Sequence, residues 1–376
     1  MKLLIAVGGG GHFSPALAVI DQLPKDWEIL IVGRKYTFEG DSALSLEYTT
    51  ANRLNIPFVS LTTGRLQRKF SARTVVSLLK VPAGGMQAMY ILKKFNPDVV
   101  LSFGGYVSVP VAAAAAVLKI PVVIHEQTLQ AGLANKVAAK FAEKICISWK
   151  ESEHYFPAQK TILTGNPLRT VFRQHIQYSE YESDAEYPTI YITGGSGGAH
   201  GINILVEGCL EKLLEKYYVV HQTGDSQKFK DFEHLEKIKA SLPQDLQKRY
   251  IVKKFIDPED VYHVMSTADL VISRSGINTV TELLYLGKPC LLIPLQFGQH
   301  NEQQTNALFV QQVGLGKMMD QHSINAQDLF AAVRDMLHNI ASFKYHATEA
   351  HNLIRKDAAE KILAVVKDVQ EKKSRS

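Results

Sequence analysis

Short apolar runs rich in β-branched residues alternate with stretches of helical period along the chain, the pattern of a parallel sheet wrapped by helices. In the first half, KLLIAV, WEILIV, PFVSL, DVVLSF, PVVIHE and EKICIS predict strands, and helical periodicity begins near Pro15, Ala72, Met86, Val109 and Asn135. The stretch QYSEYESDAEYP, polar, acidic and without period, follows GNPLR (Gly165 to Arg169) and places a hinge near 169–187. A second set then begins, TIYITG, YVVHQ, RYIVKKF, DLVIS and PCLLIP, again with helical stretches between. From Ala341 the pattern is helical and ends in polar EKKSRS. The expected division is an N-terminal lobe over 1–168, a C-terminal lobe over 169–340 and a helical tail over 341–376. Both lobes open with strand, glycine loop and helix, AVGGGGH and ITGGSGGAH. The fold class expected is α/β, two Rossmann-like lobes facing a cleft, with ligands at the carboxyl ends of the strands.

Composition narrows the classes. A chain of 376 residues is longer than one hydrophobic core usually serves, which agrees with two lobes. A formal net charge of +5 is too weak for a nucleic-acid partner. Cys146, Cys209 and Cys290 lie far apart and form no CxxC, so neither a disulfide framework nor a zinc site is expected, and a reducing cytoplasm fits. MKLLIAVGGGG lacks the h-region and cleavage site of a signal peptide. The longest apolar run, VPVAAAAAVLKIPVVI from Val109, is split by Lys119 and Pro121 into a helix and a strand. No transmembrane span is expected; peripheral contact with a membrane stays open.

Four segments place glycines between a strand and a helix: Gly8 to His12, Phe103 to Pro110 (FGGYVSVP), Thr193 to His200 (TGGSGGAH) and Ser273 to Glu282 (SRSGINTVTE). Glycine lets a ligand approach the backbone, and helix N-termini favour anions, so four such loops point to a ligand carrying phosphates. Any one of them alone would serve equally to turn a strand into a helix. The first loop does not match GxGxxG, IVGRKY lacks the acidic residue of an NAD site, and no GxxxxGK[ST] occurs, which removes dinucleotide and P-loop readings. Glu282 lies in the first turns of a helix opening near Asn278, where a carboxylate suits ribose hydroxyls or serves as a capping acid. HEQTLQAGLANK (His125 to Lys136) gathers His, Glu and Gln at a strand end, more in keeping with a substrate site than with core packing. NEQQTNA (Asn301 to Ala307) suits either sugar binding or a polar helix start.

These segments, in this order, resemble the MurG family, over about residues 4–340: GGH with PALA, FGGYVS-P, PVVIHEQ with AGL-NK, GNP-R, GGS-GA, FID, RSG–TV-E, and NA after a polar loop. The resemblance implies the GT-B architecture and inverting transfer of N-acetylglucosamine from UDP-N-acetylglucosamine to an undecaprenyl-diphosphate-linked muramyl-pentapeptide. By position it makes Gly9, Gly10 and Gly11 diphosphate contacts. It makes Thr128, Arg169, Ser196, Ile256, Ile277, Asn278, Thr279, Val280, Thr281, Glu282 and Gln303 the donor site, with Ile256 meeting uracil through its backbone and Glu282 the ribose. Gly104, Gly105, Tyr106 and Asn135 fall near the acceptor. Three positions depart from the family pattern. GGTGGH is here Val7 to His12 without the threonine, HEQN becomes HEQT at Thr128, and GGSQGA loses its glutamine at Gly197.

The implied reaction needs a base for the acceptor hydroxyl, and His12 and Glu126 are the candidates, with His12 favoured because imidazole titrates near neutrality. The alternative for His12 is a hydrogen bond that pins the glycine loop. No metal and no cofactor is expected, helix N-termini taking the charge of the leaving diphosphate. Between Gly64 and Phe95, Arg65, Arg68, Lys69, Arg73, Lys80, Lys93 and Lys94 flank Phe70, Val75, Val76, Leu78, Leu79 and Val81. That mixture suits docking to an anionic membrane surface at its cytoplasmic face, or two ordinary amphipathic helices. Three other functions fit the same fold: a GT-B transferase with another lipid or small-molecule acceptor, an inactive UDP-sugar-binding subunit, and a UDP-N-acetylglucosamine 2-epimerase.

Overall fold

The computed structural model describes residues 1–36, 44–62, 72–174, 181, 186–195, 197–295 and 301–375, with the side chains of 72–81 and 174 left aside. The chain divides into two compact units, one of Met1–Arg169 with Arg355–Ser376 and one of Thr170–Ile354.

The first unit carries strands β1 (Lys2–Ala6), β2 (Glu28–Gly33), β3 (Phe58–Ser60), β4 (Val99–Ser102), β5 (Val122–Glu126), β6 (Lys144–Ile147) and β7 (Thr161–Leu163) in the spatial order β3-β2-β1-β4-β5-β6-β7. Every pair is parallel, with Ala6 of β1 opposite Val32 on one side and Ser102 on the other. The order reverses between β1 and β4, which makes the carboxyl ends of these two strands the unit's topological switch point. Alternation along β1 sends Leu3 and Ile5 into a cluster with Phe13 and Val19 of helix Gly10–Ile20, and Leu4 and Ala6 into a cluster with Val111 and Ala115 of helix Ser108–Val117. Burial on both faces is why this strand reads as one unbroken apolar run.

The second unit repeats the plan with β8 (Thr189–Thr193), β9 (Tyr218–Gln222), β10 (Tyr250–Lys253), β11 (Leu270–Ser273), β12 (Cys290–Leu292) and β13 (Gly316–Met318), in the order β10-β9-β8-β11-β12-β13. All its pairs are parallel, and its switch point lies between β8 and β11.

Several sequence expectations are corrected. The stretch 341–376 is not a separate tail: helices Ile340–Tyr345 and Ala347–Asn352 stay with the second unit, while helix Ala358–Arg375 belongs to the first. Its Ile362, Val366 and Val369 join the core that holds Phe13 and Val19, each such burial stabilising by about 1.5–3 kcal/mol. Periodicity shows that this helix has an apolar face but not which core receives it. The helices expected from Ala72 and Met86 are one, Ala72–Phe95, running through Pro82. The first helix opens at Gly10, earlier than Pro15 suggested, and Pro15 sits in its second turn. Pro15 has no N–H to give to the Gly11 carbonyl, and Gly11 is exposed.

Candidate functional site

In the first unit the loops after β1 and β4 touch backbone to backbone. A Cβ on Gly8 would stand 2.4 Å from Gly105 Cα, and one on Gly105, whose φ is +78°, 2.5 Å from Gly8 Cα. Neither position admits a side chain. Gly9 then turns the chain into helix Gly10–Ile20, its carbonyl accepting from the N–H groups of His12 (2.9 Å) and Phe13 (3.0 Å). His12 therefore stands in the first turn, beside an N-terminus that favours anions.

Gln127 Nε2 lies 3.3 Å from His12 Nδ1. Trp149 holds that residue by donating its indole N–H to the Gln127 carbonyl at 2.9 Å. Desolvation pulls the His12 pKa below 6.5, and the Arg34 charge adds to this against the opposing pull of Glu126 and the Phe103 carbonyl. The ring is thus pushed toward its neutral form. Gln127 is the orienting residue that sequence reading did not single out from its His-Glu-Gln cluster; a polar side chain at a buried strand end was the available signal.

Glu126 is tied into the loop that follows it. Its carboxylate is buried (1 % exposed) and accepts from Thr128 N (2.9 Å) and Thr128 Oγ1 (2.6 Å) at Oε1, and from Gly132 N (2.9 Å) and Asn135 Nδ2 (3.0 Å) at Oε2. All four contacts come from its own segment, so it anchors the 127–135 loop. The Thr128 hydroxyl, 2.6 Å from both Glu126 Oε1 and the Gln130 carbonyl, is spent inside the same loop. Asn135 also donates to the His125 carbonyl (3.1 Å) and packs its amide 3.1 Å from where a Gly104 Cβ would be. His125 is fully buried, with Nε2 near the Gly165 carbonyl (3.2 Å) and Ser148 Oγ (3.0 Å), and burial lowers its pKa to about 4. Tyr106 is half-buried against the core beneath helix Ser108–Val117.

The second unit uses the same glycine device. Gly198 (φ +70°) and Gly224 (φ +79°) cross with a Gly224 Cβ 2.4 Å from Gly198 Cα, so the loops after β8 and β9 meet as closely as those of the first unit. Ser196 lies outside the described residues. Gly276 leads into helix Ile277–Leu286, whose Asn278 and Thr279 are half-buried and whose Ile277, Val280, Thr281 and Glu282 are buried. Gln303 meets the segments that follow β11 and β12, its carbonyl accepting from Ser275 Oγ (2.7 Å) and its Oε1 from Leu295 N (2.9 Å). Ile256 is buried just beyond β10, its N–H donating to Gln222 Oε1 at 3.3 Å. Arg169 is the last residue of the first unit's long segment.

A cation that sequence reading passed over also sits here. Arg274, just after β11, donates to the Ile293 carbonyl (2.9 Å) and to Gln321 Oε1 (2.5 Å), and burial lowers its pKa to about 10. Among the described residues, no three His, Cys, Asp or Glu side chains converge as a metal site, and no helix is long and apolar enough to cross a membrane.

Comparison with known proteins matches residues 3–147 to the glycosyltransferase family 28 N-terminal domain and 189–362 to the glycosyltransferase family 28 C-terminal domain. Relatives named UDP-N-acetylglucosamine–N-acetylmuramyl-(pentapeptide) pyrophosphoryl-undecaprenol N-acetylglucosamine transferase include one from Geobacter sulfurreducens, 35 % identical with 96 % of this chain and 97 % of that one covered. Another, from Listeria monocytogenes, is 34 % identical over 97 % and 99 %. The crystal structure of Acinetobacter baumannii MurG superposes with a TM-score of 0.73 at 27 % identity, covering 98 % of this chain and all of that one. A UDP-N-acetylglucosamine 2-epimerase from Neisseria meningitidis shares the fold alone, at 15 % identity and a TM-score of 0.65. With two parallel α/β units, each carrying a pair of glycine loops that cross at the carboxyl ends of its strands, the chain belongs to the MurG family of glycosyltransferases and has its two-lobe GT-B fold.

Proposed function

We propose that the protein transfers N-acetylglucosamine from UDP-N-acetylglucosamine to an undecaprenyl-diphosphate-linked muramyl-pentapeptide during peptidoglycan synthesis, at the cytoplasmic face of the cell membrane. The observation that carries the mechanism is His12, pushed toward its neutral form and held by Gln127 at the rim of the glycine crossing. His12 accepts the proton of the attacking sugar hydroxyl as that oxygen bonds to the anomeric carbon. The bond from that carbon to the diphosphate breaks on the opposite face, inverting its configuration, and UDP departs with the electron pair. Arg274 and the N-terminus of helix Ile277–Leu286 meet the charge that grows on the diphosphate, and Glu282 takes the ribose hydroxyls. Glu126, Thr128 and Asn135 keep the loop beside the acceptor in shape.

Membrane docking falls to helix Ala72–Phe95. Of the residues expected there, Arg65, Arg68, Lys69 and Phe70 lie outside the described residues, as do the side chains of Arg73 to Val81. The described part supports the reading: Met86 (69 %) and Tyr90 (65 %) are exposed one turn apart, with Lys93 and Lys94 exposed beyond them.

His12→Gln tests the catalytic assignment. Removal of a general base costs about 10²- to 10⁴-fold, so turnover should fall by at least about a hundredfold while calorimetry finds UDP affinity within twofold or so of the parent. Turnover within a few-fold of the parent would remove His12 as the base.

A further inference from the structure

Gly9, the position at which the family pattern carries a threonine, holds φ at +142°, a backbone conformation that side-chain-bearing residues rarely adopt. A Cβ at that position would lie 3.1 Å from Arg34 Nη2 and 3.4 Å from its Cζ. The space beside the first glycine loop is therefore occupied by a guanidinium brought in from the next strand. Arg34 follows β2 directly and is fixed from two directions. Its carbonyl accepts from Ser45 Oγ at 2.5 Å, the same side chain that caps helix Leu46–Arg53 by accepting from Tyr48 N at 3.2 Å. Its Nε donates to Glu47 Oε1 at 3.1 Å, and Glu47 is fully buried, with Oε2 lacking a hydrogen-bond partner among the described residues.

Burying an arginine–carboxylate pair with one oxygen unsatisfied is a poor way to gain stability. It is an effective way to fix a planar fork, since holding Nε determines where the Nη edge points. Here that edge lies on Gly9, at the N-terminus of an eleven-residue helix. Charged N–H donors and a helix N-terminus act on an anion in the same sense.

We propose that Arg34 is a diphosphate-binding residue, its guanidinium supplying at the first glycine loop the hydrogen-bond donor that this loop lacks, with Gly9 making room for it and Glu47 aiming it. The inference rests on reading the Val7–His12 loop as a diphosphate site. Arg34 has a second effect in the same place, since its charge helps keep His12 unprotonated.

Two variants test it, Arg34→Gln and the double variant Arg34→Gln/Glu47→Gln, the second removing the buried charge that the first leaves unpaired. Each is assayed for KM toward UDP-N-acetylglucosamine and toward a soluble analogue of the lipid-linked acceptor, for calorimetric affinity toward inorganic pyrophosphate, and for thermal midpoint. Loss of a charge-assisted hydrogen bond should raise one KM by about tenfold or more and weaken pyrophosphate binding to match. The double variant should show the same losses while regaining thermal midpoint. A rise in the acceptor KM assigns the contact to the lipid-linked diphosphate, and a rise in the donor KM assigns it to UDP. If the double variant keeps both KM values and the parent's pyrophosphate affinity, Arg34 serves only to pair Glu47 and the proposal is overturned. Pyrophosphate binding that depends on Arg34, in a parent protein that does not turn over the acceptor, would keep the contact and remove the proposed function instead.

Discussion

Glu126→Gln separates anchoring from chemistry at the one carboxylate that both readings claim. The substitution preserves size and one acceptor oxygen, but converts the other oxygen into a donor. An NH2 group at the Oε2 position would face two donors, Gly132 N and Asn135 Nδ2; at the Oε1 position it faces Thr128 N alone, since the Thr128 hydroxyl can donate to the Gln130 carbonyl and accept from the amide. Hydrogen bonds to a charged acceptor contribute about 1.5–3 kcal/mol each, and the better orientation loses one, so the cost is about 1.5–3 kcal/mol. The first unit, Met1–Arg169 with Arg355–Ser376, is in the size range where 1 kcal/mol moves Tm by about 2–4 °C. Differential scanning calorimetry should therefore find the transition of this unit lowered by about 3–12 °C. Turnover at a temperature where the variant is folded should fall less than in His12→Gln, with the acceptor KM raised because the 127–135 loop has loosened. A Glu126→Gln protein with the parent's Tm and turnover lost by about a thousandfold would refute this, because that is the signature of a missing base.

Two other perturbations follow from the same geometry. Gly105→Ala puts a Cβ 2.5 Å from Gly8 Cα at φ +78°, so the two loops must part; unfolding by denaturant should register a loss of about 2 kcal/mol or more together with weakened substrate binding. Gly85→Ala, in helix Ala72–Phe95 with nothing within 4 Å of the added Cβ, is the control and should gain up to about 1 kcal/mol; equal effects at the two sites would contradict the backbone crossing. Stability should also fall with acid well above the carboxylate range. Burial lowers His125 to about 4 and His221 to about 3, so between those values and about 6.5 the unfolded chain binds more protons than the folded one. Their contribution is fully present above pH 6.5 or so and is lost as pH falls, by about 1.4 kcal/mol each at pH 5.5. Urea midpoints that stay flat from pH 7.5 to 5.5 would show that these imidazoles are solvated.

The strands of both units were legible because parallel strands are buried on both faces and read as apolar runs, and the glycine loops because glycine is required wherever Gly8 meets Gly105 and Gly198 meets Gly224. The edge strands Thr161–Leu163 and Gly316–Met318 were missed, since TIL and GKM, unlike PFVSL and PCLLIP, do not extend into a longer apolar run. Helix Ala358–Arg375 was recognised as a helix but not as part of the first core, because an apolar face does not name its partner. The same limit applies at the site. HEQT showed that polar groups gather at the end of β5, but not that the chain curls back so that Thr128, Gly132 and Asn135 all donate to Glu126. Arg34 was read only as the absence of an acid after the second strand, and its contact with Gly9 is a tertiary one that spacing does not encode.

The most direct measurement is UDP release from UDP-N-acetylglucosamine in the presence and absence of a soluble analogue of the undecaprenyl-diphosphate-linked muramyl-pentapeptide, with the product sugar analysed by mass. Release that depends on the acceptor and yields the N-acetylglucosaminyl-muramyl disaccharide is the expected result. Saturable UDP binding with no acceptor-dependent release would contradict the proposed acceptor, and formation of a 2-epimer without any acceptor would contradict glycosyl transfer itself.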